Sequence, residues 1–138
     1  MSHDNHGRNK TEKIVLVVDD EGGVRRVVSR LCKLVGVEEV LTAVSVREAI
    51  AVLGANHVDL IISDYNMPDA TGLEIVRAVR LEKKHIPVIV FTGSADKAQQ
   101  RRVAEAGADV VLCKISDLSD LEDAVRKMLD LGIGDRLE

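Results

Sequence analysis

Long apolar runs are missing from this 138-residue chain. None approaches the roughly 18 residues that a membrane-crossing helix needs, and the polar opening "MSHDNHGRNKTEK" lacks the apolar centre of a signal peptide, so a cytoplasmic protein is expected. An excess of positive charge is missing too. The net charge of −4 argues against a general nucleic-acid or membrane-surface binder. Cysteine is scarce: Cys32 and Cys113 lie in apolar segments without metal-ligand spacing and read as reduced core residues. Neither GxGxxG nor GxxxxGK[ST] occurs, which leaves a nucleotide-binding module without its phosphate cradle. No repeat, low-complexity tract or interior linker breaks the chain. Residues 1–12 are the one stretch expected to be a disordered tail, residues 13–131 form a single domain, and 132–138 are a C-terminal tail or the start of a linker.

What the sequence does contain is alternation. Five short β-branched or apolar runs recur, "KIVLVV" at 13–18, "EVLTA" at 39–43, "LIIS" at 60–63, "PVIVFT" at 87–92 and "VVLCK" at 110–114, each followed by a helical pattern. In the first helix Val24, Val27, Val28, Leu31 and Val35 share a face; in the last, Leu121, Ala124, Val125, Met128 and Leu129 do. Capping boxes are predicted at Ser45 with Glu48, Thr71 with Glu74, and Ser119 with Glu122. The segment 95–106 is the weakest helix, with Ala95, Ala98 and Val103 as its main apolar contacts. Strand and helix alternating five times predict an α/β fold, a parallel sheet covered by helices on both faces and joined by right-handed crossovers.

In such a sheet, ligands bind beyond the carboxyl ends of the strands, where the strand order reverses. The first strand ends in Asp19, Asp20 and Glu21, the third in Asp64, the fourth in Thr92 and the fifth in Lys114. Under the order 2-1-3-4-5 the first and third strands are neighbours, so Asp19, Asp20 and Asp64 share a pocket flanked by Thr92 and Lys114. Asp64 alone would read as a turn residue, and Asp19 or Asp20 alone as a helix cap. Together they repel: two like charges 4 Å apart cost roughly 4 kcal/mol at an effective dielectric near 20. Lys114 supplies one compensating charge, and a hard divalent ion in all-oxygen ligation, Mg²⁺ rather than Ca²⁺, suits the remainder. A carboxylate beside Mg²⁺, a lysine and a hydroxyl is equipped for phosphoryl transfer with the carboxylate as nucleophile.

Four segments, "VVDDE" at 17–21, "IISDYNMPDATG" at 61–72, "VIVFTG" at 88–93 and "LCK" at 112–114, resemble the receiver domain of two-component response regulators in order and spacing. The resemblance spans about residues 12–131 and implies a flavodoxin-like (βα)5 fold with strand order 2-1-3-4-5, an arrangement known for the chemotaxis member of the family. It implies that Asp64 accepts a phosphoryl group from a histidine kinase or phosphotransfer protein. It further implies that Asp20, Asp64 and the Asn66 carbonyl bind Mg²⁺, that Asp19 acts through water, and that Thr92 and Lys114 contact the phosphoryl oxygens. An altered face at 92–118 would then control a downstream protein or output domain; a chain of this length is not expected to carry one.

Two positions depart from the pattern. Val111 stands where the family usually has Tyr or Phe, and Ile115 where it usually has Pro after the lysine. The first removes the ring whose movement accompanies signalling. The second predicts a trans bond between Lys114 and Ile115, since a cis bond before a non-proline costs about 2.5 to 4 kcal/mol. Competing readings are a small enzyme with aspartyl-phosphate chemistry, which "SDYNM" does not match because the DxDx[T/V] spacing is missing, and a receiver-like module that binds partners without switching.

Overall fold

The computed structural model describes residues 12–82, 85–93, 96–114 and 118–131. Strands and helices alternate as β1 (Ile14–Val18), α1 (Gly22–Leu34), β2 (Glu39–Ala43), α2 (Val46–Ala55), β3 (Leu60–Ser63), α3 (Gly72–Leu81), β4 (Val88–Thr92), α4 (Lys97–Ala106), β5 (Val110–Cys113) and α5 (Leu118–Met128). The strands form one parallel sheet in the order β2-β1-β3-β4-β5, the flavodoxin-like topology. The order reverses beside β1, which places β1 next to β3.

The unbroken apolar character of the central strands follows from burial on both sides. Leu16 and Val18 of β1 join Ile61, Val88, Val90 and residues of α2, α3 and α4 in one core, while Val15 and Val17 join Leu60, Ile62, Ile89 and Phe91 against α1 and α5 in the other. All of β1, β3 and β4 is buried, whereas the edge strand β5 is only half-buried and β2 is partly exposed. Cys32 is fully buried in the second core, and desolvation pushes its thiol up to about 12. Cys113 is half-buried, and neither cysteine is in a disulfide.

Several details differ from the sequence reading. On α1 the buried residues are Val28 and Cys32, followed by Val35 at its C-cap, and Val27 is 49% exposed beside Leu118 of α5. On α4 only Val103 is buried, and Ala98 lies in solvent. Of the three predicted capping boxes, Ser45 does accept the Glu48 N–H at 3.1 Å, but Glu48 returns its bond to the Val44 N–H. Thr71 occupies the N-cap of α3 without a side-chain cap bond, and α5 begins at Leu118, which puts Ser119 inside its first turn. α4 starts after Asp96, whose carboxylate caps the Ala98 N–H at 2.9 Å, and ends at Gly107 with φ +121, a left-handed conformation that only glycine adopts easily. The tails at 1–11 and 132–138, residues Ser94 and Ala95, and the Lys114–Ile115 bond lie outside the described residues.

Candidate functional site

The register of the sheet decides what its carboxyl edge presents. Val18 pairs with Ala43 on one side and Ser63 on the other, so the next residue of each chain, Asp19 and Asp64, emerges at the same level. The ladder runs one step further through the Asp64 N–H to the Val18 carbonyl at 2.8 Å and the Asp19 N–H to the Ala43 carbonyl at 3.1 Å. On the other flank the Lys114 N–H bonds the Thr92 carbonyl at 2.6 Å, which brings the end of β5 to the same edge.

Side chains converge there. Carboxylate oxygens of Asp19, Asp20 and Asp64 all lie within 4.8 Å of one another. Asp19 and Asp64 are buried, and Asp20 is exposed at the mouth. Lys114 bridges the buried pair, with Nζ 2.8 Å from Asp19 Oδ2 and 3.3 Å from Asp64 Oδ1. Asp19 Oδ1 also accepts the Glu21 N–H at 2.9 Å, and Asp64 Oδ1 accepts the Tyr65 N–H at 2.8 Å. The N-cap of α1 is Glu21, so neither aspartate is consumed as a helix cap. Thr92 is buried at the end of β4, and Asn66 is exposed on the loop after Asp64.

The electrostatics follow from burial and neighbours. Desolvation holds the Asp64 carboxyl above its ordinary range, opposed by the Lys114 charge and reinforced by repulsion from Asp19. Burial works against the Lys114 ammonium, yet its bond to Asp19 and the charges of Asp64 and Asp19 prevail and raise its pKa. Three carboxylates against one ammonium leave the cluster net negative. The donor set is all oxygen, close enough for one small ion to touch several groups, which fits a hard divalent cation with open positions for water.

Two further contacts support the cluster. Arg25 of α1 reaches back to the Asp19 carbonyl at 2.7 Å. A Cβ on Gly72 would fall 2.6 Å from the Asp64 carbonyl oxygen and 3.2 Å from Tyr65 Cα, so α3 packs on the end of β3 only because position 72 has no side chain. Beside the lysine, a hollow of about 680 Å³ opens between Glu21, Val24, Val27, Phe91, Lys114 and Leu118.

A doubly wound parallel sheet with an acid cluster and a lysine at its switch point defines an α/β domain whose ligand site lies at that edge. A family model for the response regulator receiver domain matches residues 15–126 of the chain, and the chain belongs to that family. It is similar to the chemotaxis protein CheY homolog of Campylobacter jejuni, 34% identical over 124 residues that cover 88% of this chain and 95% of the relative. It is likewise similar to the chemotaxis protein CheY of Pseudomonas aeruginosa, 30% identical over 118 residues that cover 84% and 95%. Among solved structures, the chemotaxis response regulator CheY4 of Vibrio cholerae superposes with a TM-score of 0.77 at 34% identity, covering 85% of this chain and 98% of that one. The protein is thus a receiver domain, a phosphoacceptor of CheY-like type. Among the described residues no helix is long and apolar enough to cross a membrane.

Proposed function

We propose that Asp64 is the phosphoacceptor, that Asp19, Asp20, Asp64 and the Asn66 carbonyl hold Mg²⁺, and that Thr92 and Lys114 receive the phosphoryl oxygens. The observation that carries this reading is the convergence of the three carboxylates within 4.8 Å around a single lysine. A carboxylate oxygen of Asp64 attacks the phosphorus of a phosphohistidine on a kinase or phosphotransfer protein. The P–N bond breaks, and its electron pair returns to the imidazole, which takes up a proton. Mg²⁺, when bound, offsets the negative charge on the phosphoryl oxygens and on the carboxylates. Lys114 starts the reaction paired with Asp19 and Asp64, so it can turn to the phosphoryl group without crossing the site.

The module works as a cytoplasmic signalling switch rather than a turnover enzyme. Its output runs through Thr92, α4 and the end of β5, up to residue 118. On α4 only Val103 is buried, with the partly buried Ala106 packed beside it, and Val111, packed against that core, offers no aromatic ring to swing. A loosely held helix can follow a small pull at Thr92 at low cost.

Incubation with a small acyl phosphate and Mg²⁺ tests the chemistry. Mass spectrometry should find one phosphoryl group on Asp64, lost on chelation of the metal and in Asp64→Asn, whose amide is a poor nucleophile. Asp20→Ala should keep the acceptor but weaken Mg²⁺ binding and slow labelling. Full labelling of Asp64→Asn would refute the assignment.

A further inference from the structure

The loop that follows Asp64 doubles back on itself. The Gly72 N–H bonds the Tyr65 carbonyl at 2.6 Å, Asn66 and Thr71 form an antiparallel bridge, and the Met67 N–H bonds the Ala70 carbonyl at 3.2 Å. Asp69 therefore occupies the tip of a narrow hairpin-like loop. Its carboxylate crosses to α2, where Oδ1 accepts the Val46 N–H at 3.0 Å and Oδ2 accepts the Arg47 N–H at 2.9 Å. These are the first two N–H groups of the helix, which have no partner within it. The third, on Glu48, already belongs to Ser45 at 3.1 Å, and the next, on Ala49, begins the helical ladder at the Ser45 carbonyl. The two backbone N–H groups, Arg47 first and Val46 second, hold the Asp69 carboxyl below its usual range.

The segment that Asp69 grips is tied to the acid cluster from the other side as well. The Ala43 carbonyl, two residues before Ser45, accepts the Asp19 N–H at 3.1 Å. One short stretch, Ala43–Arg47, is thus bonded to the loop that carries Asp19 and Asp20 and to the loop that carries Asn66. A bidentate grip fixes orientation as well as distance. Ser45 alone would suffice as an N-cap for α2, so the second acceptor is not needed to start the helix.

We propose that Asp69 is a positioning residue for cation binding: its grip on the N-terminus of α2 sets the Asn66 loop in register with Asp19 and Asp20. The inference rests on the reading of the acid cluster as a Mg²⁺ site. Asp69 touches neither the ion nor the phosphoryl group; it limits how far the two ligand-bearing loops drift apart when no ion joins them.

The test is a Mg²⁺ titration of the full chain followed by backbone amide shifts, with melting temperatures recorded in parallel, for Asp69→Ala, Asp69→Asn and Ser45→Ala. Asp69→Ala should weaken Mg²⁺ about tenfold, the size of effect typical of groups that orient metal ligands. Asp69→Asn keeps one acceptor oxygen and should recover part of the affinity. Ser45→Ala should lower the melting temperature and leave Mg²⁺ affinity unchanged. Each ratio to wild type is taken at 0.1 M and at 1 M salt, where the screening length falls from about 10 Å to about 3 Å. A positional effect persists at high salt. Equal losses in Asp69→Ala and Asp69→Asn that vanish at 1 M salt would show a bulk charge effect and overturn the proposal, as would unchanged affinity in Asp69→Ala. Wild-type protein that binds no Mg²⁺ would instead remove the metal reading itself.

Discussion

At the amino edge of the sheet, Asp59 accepts the Ile14 N–H at 2.8 Å, and Asp109 accepts the Val88 N–H at 2.8 Å together with the Arg80 guanidinium at 2.7 Å. At the carboxyl edge, Asp19 and Asp64 face each other across one lysine with Asp20 alongside. The residue type is the same at both ends, and its surroundings differ. Below, each carboxylate meets a strand N–H that would otherwise lack an acceptor, so the acid closes a gap in the hydrogen bonding of the sheet. Above, carboxylates meet one another, and the folded chain carries a repulsion that an added cation relieves. An acid at a strand end is therefore informative about function only when its neighbours are acids too.

Substitutions at the two ends should move stability in opposite directions. Asp109→Ala strands the Val88 N–H and removes the Arg80 salt bridge, so it should lower unfolding free energy by about 1 to 3 kcal/mol in urea denaturation. Phosphoryl labelling of the surviving folded fraction should be unchanged; a loss of labelling at full stability would erase the contrast between the edges.

Cys32 is a third kind of acid, raised by burial with no donor or counter-charge to it among the described residues, and it should respond to pH rather than to ions. Its thiol holds its proton to about 12 in the folded chain, against an ordinary value of 9.0. The unfolded chain thus releases a proton that the folded chain keeps, so the stability this provides is complete below pH 9 and is lost as pH rises toward 12. The decline is at most about 1.4 kcal/mol per pH unit. Denaturation across this window should give a steeper decline for wild type than for Cys32→Ala. Parallel declines would mean that the thiol ionises as easily in the fold as outside it.

The smallest effect is expected at Asp64. Without Mg²⁺, Asp64→Asn should raise stability by roughly 1 kcal/mol, because relief of desolvation and of repulsion from Asp19 is partly offset by the lost pairing with Lys114. Saturating Mg²⁺ should favour wild type and narrow or reverse the gap. A destabilised Asp64→Asn in the absence of metal would place Asp64 with the structural acids of the other edge.

Much of this was legible in the sequence because it rests on local pattern. The strands β2 and β3 fall where the apolar runs do, and β1, β4 and β5 differ only by an end residue. The meeting of Asp19, Asp20 and Asp64 follows from strand order alone. What escaped depends on contacts between segments distant in sequence. Val27 satisfies the helical period, yet it faces the gap between α1 and α5 rather than the core. Ser119 has the spacing of a cap, but α5 starts at Leu118. Asp69 looks like one more turn residue after Pro68, because the N–H groups it serves belong to a helix that begins 23 residues earlier.

Gly72 extends the reach of the site into a position with no chemistry of its own. Any side chain there begins with an atom 2.6 Å from the Asp64 carbonyl oxygen, so the backbone of Asp64 or the start of α3 has to yield. A survey of every substitution at every position would find 72 about as intolerant as 64, and conservative replacements would fare little better than drastic ones. The two intolerances would separate on purification: variants at 64 remain folded and silent, while variants at 72 lose the fold and the signal together.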